Sequence, residues 1–238
     1  MVLRNRKALV IFSKAPELVR RAPDEPYAGL PWTDLDALYF AMLDDVIETA
    51  NTIDALDIYI LKSGEDFSKE FNARFDQKIQ IIEAPESAQG EEAQFAFEMM
   101  FAKHYEHVVM LLEPHPMIAR HDLMAAFGLL QYDDDSVVLG QRSDGKYFLF
   151  GLKANHSELF ENENQSEIIV KHQRLLERFC EHEIMVFPML PRYPLDNGAN
   201  LERLKNELED IANGNGFSQR TRSMFKMIDK KYRIRRSR

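Results

Sequence analysis

Short unbroken apolar runs alternate along this chain with longer stretches whose apolar residues recur every three or four positions. Ala8-Leu-Val-Ile-Phe12 is such a run, the pattern of a strand buried on both faces. Ser13-Lys-Ala-Pro16 ends it, and residues 17–31, charged and rich in proline, read as a loop. Thr33 stands as an N-cap before Leu35, Leu38, Met42, Val46 and Ile47, which share one helical face as far as Ala50. Leu56, Ile58 and Ile60 alternate with polar positions as a second strand, and Ile79-Gln-Ile-Ile82 is a third. Phe67, Phe71 and Phe75 between them suggest a short helix. Glu91 to Tyr105 reads as a helix with Phe95, Met99 and Ala102 on its apolar stripe. Val108-Val-Met-Leu-Leu112, the most apolar run, is expected to be an interior strand, because an edge would expose it.

Asp122 is placed to cap a helix over Leu123 to Leu130. Val137-Val-Leu-Gly140 and Tyr147-Phe-Leu-Phe-Gly151 then flank Ser143-Asp-Gly145, a hairpin turn signal. A helix over Ser166 to Phe179, a strand over Ile184 to Phe187 and a helix over Leu201 to Ile211 complete the body. Strands alternating with helices imply an α/β fold, a three-layer α/β/α sandwich around a mainly parallel sheet. The hairpin breaks the alternation and adds one antiparallel strand. The organisation expected is one domain over residues 1–212, then an Asn213-Gly-Asn-Gly216 hinge and a basic tail over residues 213–238.

With 238 residues the chain can bury a substantial core, and its single cysteine excludes a disulfide framework. Cys180 sits among Glu177, Glu181 and Glu183, a poor setting for a nucleophilic thiolate. No apolar run near the start is long enough for a signal peptide core or a membrane span, so the expected location is the cytoplasm, with no membrane partner. The net charge of −9 conceals an asymmetry. From Ser218 onward nine Lys or Arg face one acid, +8, which leaves 21 Lys and Arg against 38 Asp and Glu, −17, for the rest. An acidic body repels phosphate at long range and disfavours nucleic acid. Met224, Phe225, Ile228 and Tyr232 give the basic tail an apolar helical stripe, expected to dock on the acidic body or on a second subunit.

In an open parallel sheet, ligands bind beyond the carboxyl ends of the strands. No glycine-rich phosphate motif, nucleophile elbow or H-E-x-x-H helix follows any strand. His104 and His107 lie near a helix end, where cations suit the dipole, rather than forming a metal pair. Asp133-Asp-Asp135 precedes a strand and therefore falls at the wrong end of the sheet for a metal–ligand site.

Three segments carry a resemblance: Ala8-Leu-Val-Ile-Phe-Ser-Lys-Ala-Pro16, Val108-Val-Met-Leu-Leu112, and Val137 to Leu152 with Asp144-Gly145 at its centre. Their order and spacing resemble the bacterial GT-A-type glycosyltransferases of arsenosugar biosynthesis, within the nucleotide-diphospho-sugar transferase superfamily. Typical members show F-A-K-A-P, then I-G-S-D-S-P after the central strand, then V-V-L-G-P-x-x-D-G-G-Y-Y-L-I-G-L and a closing D-V-D-T. The resemblance implies a GT-A fold, a nucleotide-sugar ligand, and Mg²⁺ or Mn²⁺ if the protein is an active enzyme. The departures fall where that chemistry belongs. Val19, Ala22 and Asp24 replace the glycine and two basic residues of the phosphate loop, although Lys14 and Arg20 remain. Glu92 stands for an arginine, Pro114 for the aspartate after the central strand, and Lys146 for the second glycine of D-G-G. The closing segment is Pro194-Leu-Asp-Asn197, which keeps Asp196.

Three readings stay open. One is a GT-A-like protein degenerate at the metal and diphosphate site that acts by binding or assembly. Another is an active glycosyl- or nucleotidyltransferase with a rebuilt site. There, by the resemblance, Glu113, His115 and Asp196 would hold the metal, Asp144 would take the catalytic position, and Lys14, Arg20 and Lys146 would meet phosphate. The third is an unrelated α/β domain with the same segment order. Asp144-Gly145 is also a favoured turn pair that needs no substrate to explain it.

Overall fold

The first apolar run forms β1 (Lys7–Lys14), and residues of β1 on both faces, Ala8, Leu9, Val10 and Ile11, are fully buried. This computed structural model describes residues 6–14, 30–63, 79–85, 88, 91–160, 168–195, 197–211 and 218–232. After β1 come α1 (Trp32–Asn51), β2 (Leu56–Ser63), β3 (Ile79–Glu83), α2 (Glu92–Ala102), β4 (His107–Leu111) and α3 (Arg120–Leu129). Then follow β5 (Ser136–Gln141), β6 (Tyr147–Leu152), α4 (Ile168–Glu181), β7 (Met185–Pro188), α5 (Gly198–Asp210) and α6 (Gln219–Tyr232). Among the described residues the strands form one seven-stranded sheet in the order β3-β2-β1-β4-β6-β5-β7. All pairings are parallel except those of β6, which runs antiparallel to both β4 and β5. The result is the expected α/β class, with β4 in the middle of the sheet. Among the described residues, no helix is long and apolar enough to cross a membrane.

Three local expectations are corrected. Thr33 lies inside α1, because the carbonyl of Pro31 accepts from the amides of Asp34 and Leu35 and starts the helix earlier. On α2 the buried residues are Ala96, Phe97 and Met100, while Phe95 and Met99 are half-buried and Ala102 is exposed. That helix is apolar on nearly every side, so periodicity alone does not select its inner face. Asp122 sits in the first turn of α3 rather than capping it, drawn to Arg192 by charge. The short helix expected around Phe67 to Phe75, and the hinge over 213–216, lie outside the described residues.

The chain divides into two compact units, one of Met1–Ala15, Ala50–Glu113 and Arg120–Arg192, the other of Pro16–Thr49, Pro114–Ala119 and Tyr193–Arg238. In the first, Val10, Phe97, Met110, Phe150 and Phe179 are among the buried core residues. Gly140 in β5 is required by close approach: a Cβ there would lie within 2.8 Å of Phe148 and Leu149. At the amino ends of the parallel strands, the Tyr105 hydroxyl donates to Asp57 at 2.5 Å and meets the Tyr59 hydroxyl at 2.8 Å. Burial, then those two partners, raise the Tyr105 pKa, so the phenol stays protonated as a structural clasp. His107, buried at the start of β4, has its pKa lowered chiefly by burial, which suits a neutral core histidine. The acidic run before β5 is a turn: backbone carbonyls of Tyr132, Asp133 and Asp134 all accept from the Lys153 ammonium.

In the second unit α1, α5 and α6 carry the buried residues Leu38, Met42, Leu201, Leu204, Met224, Phe225 and Ile228. Asn197 caps α5, its side-chain oxygen accepting from the Asn200 amide at 2.8 Å. The basic α6 is held at both ends by carboxylates of α1. Asp45 accepts from the amides of Arg220 and Thr221, and Asp34 from Lys231 and the Tyr232 hydroxyl. The Tyr232 hydroxyl first, then Lys231, hold the Asp34 carboxyl below the usual carboxylate range. A carboxyl depressed in the folded state stabilises it above the unfolded pKa of about 3.9, and the gain is lost as pH falls through the folded value. Wild type is therefore expected to exceed Asp34→Asn in stability from neutral pH to about pH 5, with the gap closing below about pH 4. Urea unfolding at several pH values checks this; a gap unchanged at acid pH would refute it.

Candidate functional site

The carboxyl ends of β4 and β5 and the segment after β7 bring charged residues together within the first unit. Beyond β4, the Leu112 amide donates to the Phe148 carbonyl at 2.8 Å, which extends the β4–β6 pairing and sets Glu113 at the sheet margin. Beyond β5 the register shifts at Gly140/Gln141, and the chain turns through Arg142 to Lys146. The Arg142 amide donates to the Lys146 carbonyl at 2.6 Å, and the Gly145 amide to the Arg142 carbonyl at 3.0 Å. Gly145 has φ 87°, a conformation that favours glycine, whereas Lys146 needs no such freedom. This explains why the turn tolerates lysine at the second glycine position of the resemblance.

The turn places Arg142 between two carboxylates. Its Nη1 donates to Glu113 Oε2 at 3.0 Å. Its Nε and Nη2 donate to Asp144 Oδ1 and Oδ2 at 3.1 and 2.6 Å, a bidentate fork. The Lys146 amide adds a bond to Asp144 Oδ1 at 3.2 Å. Partial burial pushes the Asp144 pKa up, but the Arg142 bonds and charge, aided by Lys146, bring it below the usual value. Arg192 lies alongside as the bridge partner of Arg142 and donates to Asp122 Oδ2 at 2.8 Å. Two guanidinium groups and three carboxylates thus interlock where a parallel sheet presents its ligands.

Of the residues singled out from sequence, Glu113 and Asp144 share one partner, and Lys146 adjoins them as an exposed residue. Lys14 is the last residue of β1, and Arg20 and Asp196 lie outside the described residues. His115 belongs to the second unit; its fully buried ring packs edge-on against Tyr193, and Nδ1 accepts from the Met117 amide at 3.3 Å. Sequence reasoning missed Arg142 and Arg192. Arg142 had a local signal, two residues before Asp144 on a turn; Arg192 had none.

These side chains do not suit a divalent cation. Arg142 occupies both carboxylates that face the turn. Among the described residues, no group of three or more His, Cys, Asp or Glu is placed to hold a metal ion.

The fold is shared with solved transferases. A provisionally named nucleotide-diphospho-sugar transferase from Desulfovibrio desulfuricans G20 superposes with TM-score 0.78 at 18% identity, over 95% of this chain and 96% of that one. A cytidylyltransferase from Leptospira borgpetersenii serovar Hardjo-bovis (strain JB197) gives 0.56 at 11% identity, over 96% and 95%. The 4-diphosphocytidyl-2C-methyl-D-erythritol synthase from Anaerococcus prevotii DSM 20548 gives 0.52 at 12%, over 86% and 96%. At such identities the likeness establishes the fold alone. Among curated proteins, none matches the chain in sequence. Residues 46–167, which include β4, β5, β6 and the arginine turn, match the family described as an uncharacterized protein conserved in bacteria, DUF2064, and the chain belongs to that family.

Proposed function

We propose that this protein is a nucleotide-sugar-transferase-like member of its family that works by binding or assembly rather than by metal-assisted transfer. The observation that carries the reading is Arg142 bridging Glu113 and Asp144. A GT-A enzyme uses carboxylates to hold a cation against the leaving diphosphate. Here a guanidinium already bridges them, and it cannot offer the open coordination positions of a metal. The missing glycine and cations of the loop, at Val19, Ala22 and Asp24, point the same way. Each lost charge-assisted contact costs on the order of 1.5–3 kcal/mol, so three would carry a micromolar ligand to millimolar or weaker. The finer resemblance, to transferases of arsenosugar biosynthesis, makes nucleotide sugars the first ligands to test.

Ligand-observed NMR against nucleotides and nucleotide sugars, with and without Mn²⁺, tests the reading. No metal-dependent hit is expected for the wild type. Arg142→Ala, which removes the guanidinium shared by Glu113 and Asp144, is expected to gain Mn²⁺ binding, seen as enhanced water-proton relaxation. A micromolar, Mg²⁺-dependent affinity of the wild type for any nucleotide sugar would overturn the proposal. It would favour an active transferase instead, with Glu113, Asp144 and Asp196 the first residues to replace.

A further inference from the structure

The two arginines at the carboxyl end of the sheet have more than one use for their donors. Arg142 and Arg192 are held side by side by backbone: the Arg192 amide donates to the Gln141 carbonyl at 3.1 Å, and the Ser143 amide to the Arg192 carbonyl at 2.8 Å. Their side chains are only 12% and 21% exposed, so both guanidinium groups are fixed by their surroundings and largely shielded from water. Carboxylate oxygens of Glu113, Asp122 and Asp144 are among the side-chain acceptors they engage. A planar fork that takes a carboxylate at both Nε and Nη2 takes two phosphate oxygens in the same geometry.

The three carboxylates are not equivalent. Glu113 lies two residues beyond β4, and Asp122 is buried in the first turn of α3. Asp144 sits at the tip of a turn, 30% exposed, next to Gly145 in its left-handed conformation. It is the most exposed of the three and can swing away from Arg142 without disturbing a strand or a helix. Counting these groups alone, Arg142, Arg192 and Lys146 balance three carboxylates, and withdrawing Asp144 leaves one positive charge in excess.

The geometry points to a metal-independent receptor for a phosphate or diphosphate group, in which Arg142, backed by Arg192, binds the anion and Asp144 is a built-in stand-in that the ligand displaces. This deepens the proposed function, since it supplies the ligand chemistry of a site without a cation. It also implies weak binding by the wild type, because any ligand must first compete with an intramolecular anion at high effective concentration.

Calorimetric titration with pyrophosphate in EDTA tests this on the wild type, Asp144→Asn, Arg142→Gln and the double variant. Asp144→Asn is expected to bind at least tenfold more tightly than wild type, and adding Arg142→Gln should abolish the gain. No gain, a gain that survives Arg142→Gln, or one that needs Mg²⁺ would each overturn the inference. Should Asp144→Asn fail to fold, the Arg142 Nε–H resonance of the wild type serves instead. A saturable shift with pyrophosphate in EDTA supports the receptor, and no shift up to solubility overturns it. A parallel titration with UDP separates the sources: tighter binding of UDP assigns the phosphate to a nucleotide, equal binding to free diphosphate. The test is independent of the metal question, since the wild type can lack metal-dependent binding whether or not Asp144→Asn gains the anion.

Discussion

Asp45→Ala is expected to lower the stability of the protein by about 3 kcal/mol. Asp45, buried on α1, accepts from the Arg220 amide at 3.1 Å, the Thr221 amide at 2.8 Å and the Thr221 hydroxyl at 2.6 Å. Two of those donors are first-turn amides of α6, which have no partner within their own helix. A full negative charge at that end also opposes the helix dipole favourably. Removing it strands a fully buried hydroxyl and a buried amide, each costing roughly 1–3 kcal/mol, less what water recovers. Asp45→Asn keeps an acceptor oxygen and should lose less. Glu48→Ala serves as the control: it removes only a 3.5 Å contact to the exposed Arg220, for a change within about 0.5 kcal/mol. Urea unfolding checks all three, and equal losses for Asp45→Ala and Glu48→Ala would show that the cap contributes nothing.

A loss of similar size is expected from Asp229→Ala. Lys205 on α5 is 3% exposed, and its ammonium lies 2.8 Å from Asp229 on α6, with Glu202 more distant at 4.0 Å. Removing Asp229 leaves a buried charge compensated only by that longer contact, which costs about 3 kcal/mol. Replacing both partners tells a different story. Lys205→Met with Asp229→Ala removes the charge together with its counter-ion and should recover most of the loss, because a buried pair gains little over apolar packing. If the double variant is as unstable as the single, the damage lies in packing and not in the stranded charge. Both variants also report on the tail helix, since α6 supplies one partner in each case.

The apolar runs were the most legible part of the chain. A strand buried on both faces must be apolar at every position, so Val108 to Leu112 announced a central strand, and β4 lies fourth of seven. The break in strand–helix alternation marked the antiparallel β6 for the same kind of reason: a short turn cannot connect parallel neighbours. The inner face of α2 was not legible, because a helix apolar all round can turn any side inward, and only its neighbours choose Ala96, Phe97 and Met100. The stripe on the tail helix was readable from Met224, Phe225 and Ile228, but its anchors were not. Asp34 and Asp45 look like ordinary solvated acids until α6 is laid against them.

The site divides along the same line. Asp144-Gly145 stood out as a turn, from chemistry that local sequence carries. The bond from Arg142 to Glu113 spans 29 positions and that from Arg192 to Asp122 spans 70, so neither has a local signature. By itself the sequence determined the α/β order, the central strand and the turn, since each depends on residue type over a few neighbouring positions. Tertiary structure alone decided that a guanidinium fills the space between the carboxylates, and that two arginines stand together. Those facts depend on which strand ends the sheet brings side by side, and hydrogen bonding between distant strands settles that order.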